Sequence, residues 1–334
     1  MTIAGGGAEP QTGRTGLVLR DPLPWHQVRR VVETAEETGY EAVFVPEIAG
    51  REAFATLTGF AQATSRIGLG TGVVAVGSRT PAITAMAAAT LHDLSGGRVV
   101  LGLGSGSHDG APAGPGPLEL MRAHVRMVRA ILSGETVERD DRLGVTPFRL
   151  ELPTPISVPI WVAALGDRMV QLAGECADGV LLNWCSPERV RAARSLVDGA
   201  MARAGRDPGA VTVAVYVRAS LGPDEPVAME ALKEMTGRYA AIPHYRRQFE
   251  AMGLGEEAAL AAKAFESGKP GEVPEQLVRS VAVTGGRREA LLRFAEYREA
   301  GADLVFCYPV PSLDPLSSLL GTVLGAAPSP SLEA

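Results

Sequence analysis

The chain has 334 residues, nearly half of them apolar, which is enough to bury a large core and still form one domain. Its formal charge of −6 with interspersed signs gives no basic footprint for nucleic acid and no polybasic membrane anchor, so the expected partner is a small molecule. No run reaches the roughly 18 apolar residues of a membrane span, the first 16 residues lack a signal-peptide core, and Cys176, Cys185 and Cys307 have neither disulfide nor zinc spacing; a cytoplasmic protein with packed thiols is expected.

Short β-branched runs alternate with amphipathic or Ala-rich stretches along the chain, the pattern of parallel βαβ units. Eight strands are predicted: Gly16–Leu19, Ala42–Val45, Ile67–Thr71, Val99–Leu103, Pro159–Ala163, Gly179–Leu182, Val211–Val217 and Ala302–Phe306. After the first, Trp25, Val28, Val32 and Ala35 share one helical face, and Gly39 stands where such a helix stops. Met121, Val125, Val128 and Leu132 repeat that spacing later, with Arg122, Arg126 and Arg129 turned outward as a solvated face.

Most strands are about 25–35 residues apart, the length of a βαβ unit, but two gaps are longer. Insertions are therefore expected after strands 4 and 7, at about 133–158 and 223–271, the first a small excursion or hairpin, the second containing helical pieces such as Glu256–Phe265. Both are expected at the face that carries function. The resulting reading is a single α/β domain over 16–325, a (β/α)8 TIM barrel, with flexible ends at 1–15 and 326–334. An open doubly wound sheet is the rival. The count of eight disfavours it, as does Arg20–Asp21–Pro22–Leu23–Pro24 where a dinucleotide fingerprint would stand.

Barrels work at the C-terminal ends of their strands. Those positions read Arg20–Asp21, Pro46–Glu47, Thr71–Gly72–Val73, Gly104–Ser105–Gly106–Ser107–His108, Ala163–Ala164, Asn183–Trp184, Arg218 and Cys307–Tyr308. No lysine precedes Lys233, which removes a Schiff-base nucleophile from the first seven strands. Asp21, Glu47 and His108 are too few to suggest a metal centre, and no metal ligand is assigned. What remains is backbone. Gly102, Gly104 and Gly106 with Ser105 and Ser107 read either as a loop that donates N–H groups and hydroxyls to a phosphate or as a flexible turn. In the first case a cofactor supplies the chemistry that the side chains lack.

Several stretches in sequence carry a resemblance. Ile67–Gly68–Leu69–Gly70–Thr71–Gly72–Val73 is followed by Ser78–Arg79–Thr80–Pro81, the helix Ala85–Leu91, Leu94–Ser95–Gly96–Gly97–Arg98 and Leu101–Gly102–Leu103–Gly104. Gly39–Tyr40, Val45–Pro46–Glu47, Ala163–Ala164–Leu165–Gly166 and Ala177–Asp178–Gly179 continue in order. Together they resemble the bacterial luciferase-like superfamily, and within it the branch that uses the deazaflavin coenzyme F420.

That resemblance implies a tricyclic ring over strands two to four, backed by a non-prolyl cis peptide at Gly72–Val73. It implies that Glu47 sits near the ring's polar edge, unless it is a surface carboxylate, and that Ser105, Gly106 and Ser107, with Gly104 before them, hold the phosphate. Ala163, Ala164 and Gly166 would close over the same chain. Asn183 and Trp184 would face substrate, with Trp184 as a core cap the other reading. An Ile48 stands where the sugar-phosphate dehydrogenase branch has a histidine, so His108 is the substitute candidate for proton transfer, its alternative being a solvated loop residue. His26, His92, His124 and His244 are expected to be structural. The expected activity is hydride transfer between the deazaflavin C5 and a C=N, C=O or activated C=C. The alternatives are an FMN-dependent monooxygenase and a non-catalytic flavin or deazaflavin carrier, and relatives suggest a homodimer.

Overall fold

A computed structural model of the chain describes residues 13–106, 116–222 and 224–329. In chain order it runs β1 (Thr15–Val18), α1 (Trp25–Glu37), β2 (Ala42–Val45), α2 (Ala53–Ala63), β3 (Gly68–Thr71), β4 (Val74–Ala75), α3 (Pro81–Ser95), β5 (Val99–Gly104) and α4 (Pro117–Ser133). Then come β6 (Ile160–Ala163), α5 (Asp167–Cys176), β7 (Gly179–Asn183), α6 (Pro187–Arg203), β8 (Thr212–Leu221), α7 (Glu225–Ala240), α8 (Pro243–Ala251) and α9 (Gly255–Glu266). A 3-10 turn at Pro270–Glu272 leads to α10 (Glu275–Val281), β9 (Ala282–Gly285), α11 (Arg287–Glu299), β10 (Leu304–Pro309) and α12 (Pro315–Gly325).

All strand pairs are parallel. The ladder β1–β2–β3–β5–β6–β7–β8–β10 returns to β1, so the eight anticipated strands close into a (β/α)8 barrel. The closing pairs are in firm register: Leu17 lies opposite Cys307, and Val217 opposite that same residue from the other side. An open sheet is thereby ruled out.

Side chains alternate across each strand, so every second residue enters the barrel. Phe44, Trp161, Tyr216 and Phe306 fill it, with Phe44–Phe306 centroids at 4.5 Å and Phe44–Trp161 at 5.4 Å. Glycines make the room: a Cβ at Gly16 would strike the Phe306 ring, one at Gly70 the Phe44 ring, and one at Gly179 the Trp161 ring. The other strand face packs on helices, including Val28 and Val32 of α1 and Met121, Val125, Val128 and Leu132 of α4. Arg122 and Arg129 of α4 turn outward to Glu175 and Asp178.

At the N-terminal end of the barrel, Gly96 and Gly97 both take positive φ to end α3, and Arg98 follows. Its guanidinium donates to the carbonyls of Ser95, Ile67, Ala61 and Thr64 and to Thr64 Oγ1, at 2.8 to 3.1 Å. One side chain thus ties α2, β3 and α3 together, far from the strand ends that carry function.

Three boundaries differ from expectation. Residues within the stretches expected to be flexible are held in place: at the start, Thr15 opens β1 and Arg14 pairs with Glu41. At the other end Ala326 and Ala327 are buried, the Ala327 carbonyl accepts from Arg287 at 2.8 Å, and the Ser329 N–H donates to Thr38 O at 3.2 Å. Two small apolar residues let the tail seat where a polar one would have stayed in water.

The 133–158 excursion is built on antiparallel bridges Val137–Phe148 and Asp140–Val145. It follows a helix rather than a strand, so it leaves from the opposite face to the one expected. Its tip nevertheless climbs beside α4: Arg142 pairs with Glu119 in that helix's first turn, and Gly144 packs by Thr80 at the start of α3.

The second excursion runs past Gly271 to β9, which pairs with the outer part of β8 from Arg218–Ala282 to Leu221–Gly285. β8 is ten residues long, so its first half serves the barrel and its end carries this extra strand. The helices α7–α10 form a second core around Leu232, Phe249, Ala261 and Leu277. Among the described residues no helix is long and apolar enough to cross a membrane.

Candidate active site

The inward phase continues beyond the strand ends to a ring of residues at the barrel mouth. On β3, β5 and β6 these are small: Gly72, Gly102, Gly104 and Ala163. On β7, β8 and β10 they are Asn183, Arg218 and Tyr308, with Arg20 following β1. The mouth therefore has a flat small-residue half and a polar, cationic half.

The flat half owes its shape to a bulge. Gly70 pairs with Val100 and Val74 with Leu103, so four residues on one side span three on the other. The Gly72–Val73 peptide within it is cis. Thr71 Oγ1 fills the broken ladder, donating to Gly102 O at 2.7 Å and accepting from Gly102 N at 2.8 Å. The Gly72 N–H donates to Val45 O at 2.7 Å, and Val73 O accepts from the Glu47 N–H at 3.3 Å. Val73 lies against Gly104, where any Cβ would collide with it, and Ala163 stands 3.9 Å from that same point. Beneath Gly72 the Tyr216 hydroxyl is buried with no hydrogen-bond partner among the described residues, and burial raises its pKa.

Beyond this shelf, Gly106 has φ +72° and a Cβ there would meet Ala75 at 3.0 Å, so the loop after β5 needs glycine on both counts. Ser105 precedes it, half-buried. Gly166 caps α5 with open space around it, and the Ala164 N–H is spent on Leu181 O at 3.0 Å. Ser107 and His108 lie outside the described residues.

Glu47 is held by Arg79, Oε1 at 2.9 Å from Nη2, and Arg79 also reaches Glu52 while lying over the Phe54 ring. The bond to Glu47 raises the pKa of Arg79, against the opposing effect of burial. Glu47, Ile48, Ala75, Ser78, Arg79, Thr80 and Ile83 line an open cleft of about 490 Å³ that adjoins the shelf.

The expected substrate pair separates. Asn183 faces the mouth, its Nδ2 donating to Tyr245 Oη at 3.2 Å and its Oδ1 accepting from Arg218. Trp184 is 1 % exposed and packed on Tyr239 and Phe249, with α8 docked over it. Gln248 of α8 fixes that docking by donating to the carbonyls of Asn183 and Trp184, both at 2.6 Å, and Trp184 has φ +53°. The core-cap reading of Trp184 is the one the packing supports. His124 is buried on α4 and its pKa falls to about 4 through desolvation, consistent with a structural place.

Two residues outside the expected set belong here. Arg79 was visible only as part of a motif, and Arg218 only as one strand end among eight. Arg218 is 2 % exposed, its guanidinium carbon 4.0 Å from the Tyr308 ring, 4.4 Å from Trp184 and 5.4 Å from Tyr239. Tyr308 is pushed up to about 12 by burial, with Arg218 acting in the other direction.

Among its described residues this mouth offers a shelf, a glycine-containing loop after β5 and no evident nucleophile. A 5,10-methylenetetrahydromethanopterin reductase of Archaeoglobus fulgidus is 28% identical over 304 residues, covering 87% of this chain and 91% of the relative. A putative coenzyme F420-dependent oxidoreductase of Mycobacterium tuberculosis is 28% identical over 306 residues, covering 82% and 88%. Among solved structures, the coenzyme F420-dependent tetrahydromethanopterin reductase of Methanopyrus kandleri superposes with a TM-score of 0.76 over 95% of this chain and 98% of its own, at 22% identity, which shows a shared fold. The sequence model of the luciferase-like monooxygenases matches residues 2–304, and the chain belongs to that family.

Proposed function

We propose that the protein is an F420-dependent oxidoreductase that passes a hydride between the deazaflavin ring and an electrophilic carbon, a C=N, C=O or activated C=C, of a small molecule. The observation that carries this reading is the shelf of Gly72, Val73, Gly104 and Ala163, which a single added Cβ at Gly104 would spoil. The residues present fit a planar heterocycle: a surface of glycines and small side chains, a Tyr216 hydroxyl beneath it with no hydrogen-bond partner among the described residues, and a glycine loop beside it. The F420 dependence named for the Mycobacterium tuberculosis relative supports the choice of ring.

Val73 and Ala163 hold the ring face in this reading. Ser105, Gly106 and Ser107 donate to the phosphate, and the Ala163–Gly166 turn borders the same chain. Glu47, kept in place by Arg79, accepts hydrogen bonds at the ring's polar edge. When bound, the deazaflavin supplies the two-electron chemistry at C5. The protein's work is to seat the acceptor carbon at about 3–3.5 Å on the open side, exclude water and deliver a proton, for which His108 is the candidate.

Titration of the purified apoprotein with F420 and with FMN tests the reading. Saturable F420 binding, followed by oxidation of reduced F420 with an imine, enone or aldehyde panel, is the expected result. Tight binding of FMN alone would transfer the protein to the flavin monooxygenases, and F420 binding without turnover on the panel would make it a carrier.

A further inference from the structure

Arg218 is a buried cation that forms no ion pair among the described residues. Asn183 Oδ1 is the one hydrogen-bond acceptor it meets among the described residues, and its other neighbours are the faces of Trp184, Tyr239 and Tyr308. The chain has acids to spare: Arg79 takes Glu47 and Glu52, Arg189 takes Asp167, and Arg194 takes Asp303. Even Asp21, at the same mouth, turns away to the Leu23 N–H and Arg51.

Ring faces offset part of the cost of desolvating a guanidinium, but they leave its charge uncancelled in a place with little water to screen it. Such a group attracts an anion more strongly than any exposed arginine does. Its position says whose anion. Asn183, Arg218 and Tyr308 lie on β7, β8 and β10 respectively, across the mouth from the shelf and from the Ser105–Gly106 loop. Arg20, after β1, adds a second cation beside Tyr308 and, like Arg218, opposes the rise in that hydroxyl's pKa that burial causes.

We propose that Arg218 is the receptor for a carboxylate on the substrate, so that the electrophile reduced or formed here belongs to the class of carboxylic acids bearing a C=N, C=O or C=C. The proposal rests on the functional reading above for the word substrate, but the anion site is testable without it. A purely structural pillar of stacked rings would show no preference between an anion and its neutral ester.

The experiment uses the full chain without cofactor, titrated with benzoate and with methyl benzoate and followed by calorimetry and by tryptophan fluorescence, since Trp184 lies on the guanidinium. Benzoate is expected to bind at least tenfold tighter than the ester in the wild type. Arg218→Gln is expected to erase that preference, Arg218→Lys to retain part of it, and both to bind F420 as the wild type does. Equal binding of acid and ester by the wild type overturns the proposal whether or not a variant folds, as does a preference that survives in Arg218→Gln. A tenfold loss of F420 affinity in Arg218→Gln and Arg218→Lys, with benzoate binding unaltered, would reassign the anion to the cofactor and overturn it too. Failure of F420 titration alone would sink the cofactor reading and leave the anion site standing.

Discussion

Gly104→Ala adds one methyl group at the point where the shelf meets the strand below it. The new Cβ would stand less than 3.0 Å from Val73 Cγ2, where ordinary contact begins at 3.4 Å. Val73 is β-branched and stiff, so relief comes from moving its backbone by several tenths of an ångström into the space above the shelf. Overpacking of this kind costs about 1–3 kcal/mol, a fall of a few degrees in the unfolding midpoint, so the protein remains folded. Cofactor affinity is expected to fall at least tenfold, because the displaced atoms occupy the ring's resting plane; tenfold is about 1.4 kcal/mol. Gly102→Ala is the internal control, since its Cβ would strike the backbone carbonyl of Thr71 and is expected to prevent folding. Thermal denaturation and F420 titration of the two variants check this. A Gly104→Ala protein with unchanged midpoint and undiminished F420 affinity would refute the placement of the ring against Val73.

Arg98→Met removes the donor from four carbonyls and is expected to cost about 2–4 kcal/mol by denaturant unfolding while leaving cofactor affinity unchanged in the folded fraction. His124 is neutral in the folded chain with its pKa lowered to about 4, against about 6.5 when unfolded, so its contribution is complete above pH 6.5 and is lost as pH falls toward 4. The loss is about 3 kcal/mol at most, and His124→Leu is expected to show a shallower acid decline than the wild type in pH-dependent melting. Ala327→Glu would bury an unpaired charge in the docked tail; it is expected to lower the midpoint, where the same change in a free tail would not register.

The eight strands were legible because each is a short β-branched run with a helical period on either side, and closure followed from their number. β9 was not: four residues after a helix carry little signal, and it exists because β8 overruns the barrel. The tail was misread for the opposite reason, since an Ala-Ala-Pro-Ser composition looks like a flexible end until a groove that it fits is known. At the site, Gly104 and Gly106 were readable as a glycine pattern, whereas the Gly72–Val73 bulge was expected only from the family resemblance. Trp184 was harder, because an aromatic residue at a strand end looks the same whether it meets a ligand or a docking helix. Arg218 was written plainly in the strand, but what distinguishes it is that no described acid pairs with it, and proximity across three strands is invisible in one dimension. The Leu94–Arg98 motif, which helped to suggest a family, proves to be a staple at the opposite end of the barrel from the site.

The overrun of β8 has a wider meaning. The chain leaves the end of β8 at Leu221 and returns at Ala282 opposite Arg218, so everything between is attached at the two ends of one short ladder. A helical cartridge mounted this way can be exchanged for another of different size without asking the barrel to re-register. Selectivity can thus diverge by swapping the cartridge that frames Asn183 and Arg218, while the platform across the opening stays as it is.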